Sequence, residues 1–306
     1  MAMLHHRLPG NFGTSVPCEV PCHALPDADL RALHNLLTEH RFVVIPGQQL
    51  NNDQYVEFAG RWGRPLLLIA KKNQLASHPE MIVQGNSAAT PDYVRNVACN
   101  WHCDSSYEED VATCTMLYGV ETPNEGGDTL FADLVAAYDA LSGEKQALYD
   151  TLTVKHATSA ATPLPDEHIP DRSKIPPEIA ATVTFLDPVS HPLVRINPYS
   201  GRKALYGLGG SPYAIEGMSD AEGAELILEL RRYAIQDRFR SAYKLMPGDL
   251  LIWDNLSVMH RATPIEFTDE PGKRRLNYRI SLKGPPRFLD APEIASAEIR
   301  STEHIG

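Results

Sequence analysis

The stretch Ala242-Tyr243-Lys244-Leu245-Met246-Pro247-Gly248-Asp249-Leu250-Leu251-Ile252-Trp253 decides the fold class. Two short runs flank a Pro-Gly-Asp turn, in which proline presets one dihedral and glycine tolerates the left-handed region. Ala242–Leu245 and Leu250–Trp253 are expected as strands, with Leu276–Leu282 as a third. The same grammar recurs outward from here. Arg41-Phe42-Val43-Val44-Ile45 stops at Pro46-Gly47, and Met81-Ile82-Val83 is another short apolar run. Thr113 to Val120 is β-like and leads into the turn Pro123-Asn124-Glu125-Gly126-Gly127-Asp128. Leu193–Ile196 and Lys203–Tyr206 bracket Asn197-Pro198-Tyr199-Ser200-Gly201, the pattern of a β-hairpin.

Helical periodicity is confined to a few places. Asp27 opens a segment with Leu30, Leu33, Leu36 and Leu37 on one face, and Asn52 to Trp62 carries Tyr55, Phe58, Ala59 and Trp62 on another. Shorter helices are expected at Leu134–Leu141 and Glu144–Leu152, and Ser219-x-x-Glu222 forms a capping box for a helix to about Ala234. Many short strands with grouped helices predict a β-rich α+β fold, a two-sheet sandwich or jelly roll with flanking helices. Positions 157–192, rich in Pro, Asp and Ser, form a long insertion of the kind that often serves as a lid or binding loop. With no repeat and no low-complexity linker, residues 1–306 are expected as a single domain, its core at about 24–284 and a tail at 285–306.

Composition narrows the function. The formal net charge of −11 disfavours nucleic acid or an anionic membrane as partner. No apolar run reaches membrane-spanning length and the start lacks a secretory pattern, so a cytoplasmic protein is expected, with a homo-oligomer left open. Five irregularly spaced cysteines do not make a disulfide framework.

The chemistry concentrates at His102-Cys103-Asp104 and at the distant His260. Residues i and i+2 of an extended segment share a face, so His102 and Asp104 can reach one metal while Cys103 points away. Two imidazoles and one carboxylate cover one face of a divalent iron and leave the other open for cosubstrate and oxygen. Arg279 lies beyond, with a planar fork suited to a carboxylate. Arg275 precedes it by four residues and shares its face if the segment is a strand. Asp128 is expected to be a turn residue rather than a ligand. Trp253 is read as a wall of the iron pocket or as core packing, and Asp254 and Asn255 as groups that orient the ligands.

Several motifs in consistent order resemble the TauD/TfdA family of Fe(II)- and 2-oxoglutarate-dependent dioxygenases. They are Asn100-Trp101-His102-Cys103-Asp104-Ser105-Ser106-Tyr107, Gly126-Gly127-Asp128-Thr129-Leu130-Phe131-Ala132-Asp133, Ser200-Gly201-Arg202-Lys203, Pro247-Gly248-Asp249, Trp253-Asp254-Asn255 with His260, and Arg274-Arg275-Leu276-Asn277-Tyr278-Arg279. The resemblance implies a double-stranded β-helix core, iron on His102, Asp104 and His260, and 2-oxoglutarate held by Thr129 and, at its distal carboxylate, by Arg279. Arg275 is expected to help bind an anionic substrate or cosubstrate. It also implies hydroxylation of an aliphatic C–H of a small or medium organic acid, coupled to conversion of 2-oxoglutarate and O2 into succinate and CO2. Substrate contacts are expected from Lys71 or Lys72, which solvation explains equally well, and from Asn100, Ser105, Ser106, Tyr107 and Trp253. Two other readings stay open: a zinc-type hydrolase with the same three ligands, and a non-catalytic acid-binding sandwich.

Overall fold

The computed structural model describes residues 3–67, 73–90, 95, 97–158 and 186–289. In chain order the strands and helices are β1 His6–Arg7, β2 Thr14–Ser15, α1 Asp27–His40, β3 Phe42–Ile45, α2 Asn52–Arg61, β4 Arg64–Pro65, β5 Gln74–Leu75, β6 His78–Gly85, β7 Ala112–Glu121, β8 Thr129–Asp133, α3 Leu134–Asp139, α4 Gly143–Tyr149, β9 Thr153–His156, β10 Val189–Pro192, β11 Val194–Ile196, β12 Lys203–Leu205, β13 Pro212–Ile215, α5 Asp220–Ala234, β14 Arg240–Tyr243, β15 Leu250–Asp254, β16 Val258–Ala262 and β17 Leu276–Lys283.

The large sheet runs β1-β2-β3-β15-β7-β17-β6-β5, with β4 also on β17, and faces a smaller β14-β8-β16 sheet. Its strands are apolar on both faces because both faces are covered. Leu250 and Ile252 of β15, Val43 and Ile45 of β3, and Ile280 and Leu282 of β17 pack with α1 and α2 through Leu30, Leu33, Leu37, Tyr55 and Phe58. The alternate residues Leu251, Trp253, Phe42, Val44 and Leu117 point inward and meet Phe131 of β8 and Val258 of β16. Each large side chain buried this way is worth about 1.5–3 kcal/mol. This is the jelly-roll architecture expected, with helices on its outer faces.

The hairpin β11–β12 and the capping box at Ser219 and Glu222 are as expected. Four readings shift. Pro26, not Asp27, stands at the N-cap of α1 and makes no side-chain cap; Asp27 lies in the first turn, favourable to the helix dipole. Met81–Val83 is the middle of a longer strand, β6, and the segment expected at Ala242–Leu245 begins two residues earlier. Asp249 accepts from Tyr243 Oη at 2.5 Å and from the Met246 backbone, which draws 244–249 into a loop. The helices expected to Leu141 and Leu152 end at Asp139 and Tyr149. β8 and β16, the strands that complete the small sheet, are short and partly polar, and the strand pattern passed over them. Most of the long insertion lies outside the described residues, as do the tail from 290 and both Lys71 and Lys72. Among the described residues no helix is long and apolar enough to cross a membrane.

Candidate metal centre

The inward face of the sandwich changes character at one end. β7 and β17 pair with Ser281 opposite Thr115 and Arg279 opposite Leu117. Because Ile280 and Leu282 face the helices, Arg279 and Ser281 face inward by alternation. Three polar side chains, Thr115, Ser281 and Arg279, meet at Asp104: Thr115 and Arg279 bond it directly, and Ser281 joins the two.

His260 sits in β16 opposite Phe131 of β8. The segment of His102 lies along the free edge of β16, where His102 and His260 exchange both backbone hydrogen bonds at 2.9 Å. This pairing brings together residues separated widely in sequence and places their rings 4.3 Å apart. Gly209 and Gly210 let the neighbouring chain approach closely. A Cβ on Gly209 would stand 2.1 Å from the Trp101 carbonyl oxygen, and one on Gly210 would stand 2.9 Å from His102 Cβ.

Asp104 completes the set. Its Oδ1 lies 3.7 Å from His102 Nε2 and its Oδ2 lies 3.7 Å from His260 Nε2. One ligand atom from each residue falls within 4.8 Å of the others, the grouping a single small cation requires. His102 Nδ1 is 2.7 Å from the Asn100 carbonyl oxygen, which can only accept. The proton is therefore on Nδ1, and Nε2 presents its lone pair to the metal position. Burial pushes the Asp104 carboxyl up, but Arg279, His260, His102 and the Thr115 hydroxyl outweigh it and hold the group well below its usual range. Burial, reinforced by His102, holds His260 well below the ordinary imidazole value. Both groups stand in the protonation state that a metal needs.

Arg279 is at the metal end of the pocket. Its Nη2 donates to Asp104 Oδ1 at 2.7 Å. Arg275 stands immediately before β17. Burial pulls its pKa down, and among the described residues no carboxylate counters it. Its Nε reaches no hydrogen-bond acceptor. Asn86 fixes the approach to it, accepting from the Arg275 backbone at 2.6 Å while its amide nitrogen ties down the Glu266 and Lys273 carbonyls. Thr129 is buried at the start of β8, opposite Ala262 and two residues from the position that faces His260.

The remaining expected residues divide. Ser105, with φ of 57°, turns the chain directly after Asp104, and the buried Ser105 and Ser106 hydroxyls have no hydrogen-bond partner among the described residues. Tyr107 is close enough to Arg279 and Asp104 to feel their charges, although burial dominates in pushing its hydroxyl up to about 12. Asn100 serves through its backbone carbonyl. Trp253 is not a wall of a substrate pocket: it is 2% exposed, packed in the sandwich interior with its ring 4.7 Å from that of His260. Alternation sends it inward with Leu251, behind the metal position. Asp128 lies in the turn formed by Gly126 and Gly127, its backbone nitrogen bonded to Thr263 Oγ1. The sequence reading missed Thr115, Ser281 and Asn86. Thr115 and Ser281 are buried polar strand residues whose role shows only once the β7–β17 register is known.

A jelly roll that holds two imidazoles and one carboxylate around an open position is the framework of a non-haem iron enzyme. The Taurine catabolism dioxygenase TauD, TfdA family matches residues 5–280. The chain is 32% identical over 265 residues to the alpha-ketoglutarate-dependent 2,4-dichlorophenoxyacetate dioxygenase of Cupriavidus pinatubonensis, covering 82% of this chain and 89% of that one. It is 32% identical over 251 residues to the (S)-phenoxypropionate/alpha-ketoglutarate-dioxygenase of Delftia acidovorans, covering 79% and 84%. Among solved structures it resembles AAD-2 in complex with Mn(II) and N-oxalylglycine (TM-score 0.70, 25% identity, 93% and 99% covered). A taurine dioxygenase of Burkholderia xenovorans shares the fold (TM-score 0.71, 24% identity, 93% and 90% covered). The protein belongs to the TauD/TfdA family and is a 2-oxoglutarate-dependent dioxygenase, an oxidoreductase that uses Fe(II), 2-oxoglutarate and O2.

Proposed function

We propose that this enzyme hydroxylates an aliphatic C–H of a small or medium organic acid, converting 2-oxoglutarate and O2 to succinate and CO2, and that one domain carries the whole activity. The observation that carries this reading is the buried His102–Asp104–His260 cluster with the Arg279 guanidinium bonded to Asp104. Iron held by these three residues supplies oxygen activation. The protein supplies placement, charge and exclusion of water.

In this reading Arg275, with Thr129, holds the distal carboxylate of 2-oxoglutarate. An anion there neutralises a guanidinium that burial otherwise leaves without a counter-charge. Arg279 acts at the near end, holding Asp104 ionised and presenting its remaining donors to an acid group beside the metal. Ser105, Ser106 and Tyr107 line the substrate side, where two unpartnered hydroxyls would accept or donate to a polar substrate. A zinc-type hydrolase has no use for Arg279 or Thr129. The similar enzymes named for phenoxyacetate and phenoxypropionate substrates support an organic acid.

The test is a panel of carboxylic, aryloxyalkanoic and sulfonic acids offered to Fe(II)-loaded protein. Succinate release stimulated by one acid, with a product one oxygen heavier, is the expected result. Stimulated turnover with unmodified acid would refute the hydroxylation, and stimulation by none of the acids would refute the substrate class.

A further inference from the structure

We infer that a directional hydrogen-bond relay, Trp253–Asn255–Thr115, positions the Asp104 carboxylate for the metal, so that an indole N–H two residues removed along the relay sets metal affinity. The inference rests on the metal-centre reading above.

Indole Nε1–H only donates, so the atom that Trp253 meets at 2.9 Å is the amide oxygen of Asn255. That choice fixes the whole amide, because the Asn255 nitrogen must then face Thr115 Oγ1, 2.8 Å away. Thr115 Oγ1 has two other neighbours, Ser281 Oγ at 2.9 Å and Asp104 Oδ2 at 2.7 Å. Arg279 Nη2 donates to Ser281 Oγ at 3.0 Å, leaving the serine hydrogen to go to Thr115. A hydroxyl offers one hydrogen and two lone pairs. Asn255 and Ser281 take the lone pairs of Thr115, and its one hydrogen is committed to Asp104.

The four relay residues, Trp253, Asn255, Thr115 and Ser281, are at most 2% exposed, so water does not replace a lost partner. Asp104 is therefore gripped on both oxygens: Thr115 on Oδ2 and Arg279 on Oδ1. Without the indole N–H nothing prevents the Asn255 amide from turning over. Its oxygen would then face Thr115 and draw away the hydrogen that Asp104 needs. Asn255→Asp has the same effect by construction, since a carboxylate cannot donate to Thr115. Trp253, Asn255 and Thr115 are positioning residues that touch neither metal nor substrate, and they act only through Asp104.

The experiment is a calorimetric titration of metal-free protein with Mn(II), alongside thermal melts of each metal-free variant. Trp253→Phe, Asn255→Asp and Thr115→Val are expected to weaken Mn(II) binding by roughly 10–100-fold, the size of effect typical of partners behind metal ligands. Thr115→Ser keeps the hydroxyl and should titrate like the parent. A purely structural role would lower the metal-free melting point while leaving Mn(II) affinity alone. Parent-like affinity in folded Trp253→Phe and Thr115→Val would overturn the relay. Failure of the parent protein to bind Mn(II) would instead remove the metal centre itself, and the relay with it.

Discussion

Replacing Arg275 by glutamine separates the two arginines. Arg275 stands immediately before β17, and among the described residues its Nε has no acceptor and no carboxylate offsets its burial. A guanidinium in that state binds a carboxylate through two charge-assisted hydrogen bonds and loses little solvation in doing so. Such bonds contribute about 1.5–3 kcal/mol each, and glutamine retains one neutral donor, so the net loss is about 3 kcal/mol, on the order of a hundredfold in Kd. The assay is calorimetric titration of Mn(II)-loaded protein with N-oxalylglycine, an analogue that keeps both carboxylates of 2-oxoglutarate. Mn(II) affinity itself should not change, because Arg275 touches none of the three ligands. Arg279→Gln should behave differently, weakening the hold on Mn(II) by releasing Asp104 Oδ1. An Arg275→Gln protein that binds N-oxalylglycine as tightly as the parent, while Arg279→Gln loses the analogue but retains Mn(II), would refute the reasoning and return the distal carboxylate to Arg279.

Acid should unfold the metal-free protein early. His34 and His156 are buried and titrate at about 4 and about 3 against an ordinary 6.5, in both cases chiefly from burial. Below pH 6.5 the unfolded chain binds protons that the folded chain refuses, so stability is complete above that value and is lost as pH falls. The loss reaches about 3 kcal/mol per histidine by pH 4, and urea midpoints that agree at pH 7 and pH 4.5 would contradict it. Gly209→Ala places a Cβ 2.1 Å from the Trp101 carbonyl oxygen, a backbone atom that cannot swing aside. The displaced strand carries His102 away from His260, so the variant should lose about 1–3 kcal/mol of stability and most of its Mn(II) affinity; unchanged Mn(II) affinity would show that the close approach is not needed.

The metal ligands were legible because their spacing is local chemistry. His102 and Asp104 share a face by strand alternation alone, and the surrounding motifs carried the family likeness. Thr115 and Ser281 were harder to see. Each is an ordinary β-sheet residue until its register is known, and only the β7–β17 pairing sets them opposite one another beneath Asp104. Trp253 shows the converse. Its place beside a motif left a pocket wall and core packing equally open, and the period of two in β15 turns it into the core beside His260. Thr129 to Asp133 and Val258 to Ala262 are short strands whose polar residues blur the apolar pattern, so the small sheet had no clear signature.

By itself the sequence determined the class of fold, the three candidate ligand residues and the family's dependence on iron and 2-oxoglutarate, since these follow from local patterning, side-chain chemistry and motif order. Tertiary structure alone decided which arginine stands against Asp104, which way Asn255 points and why Gly209 must lack a side chain. Those facts depend on register and on the approach of segments distant in the chain, and hydrogen-bond direction exists only once both partners are in place.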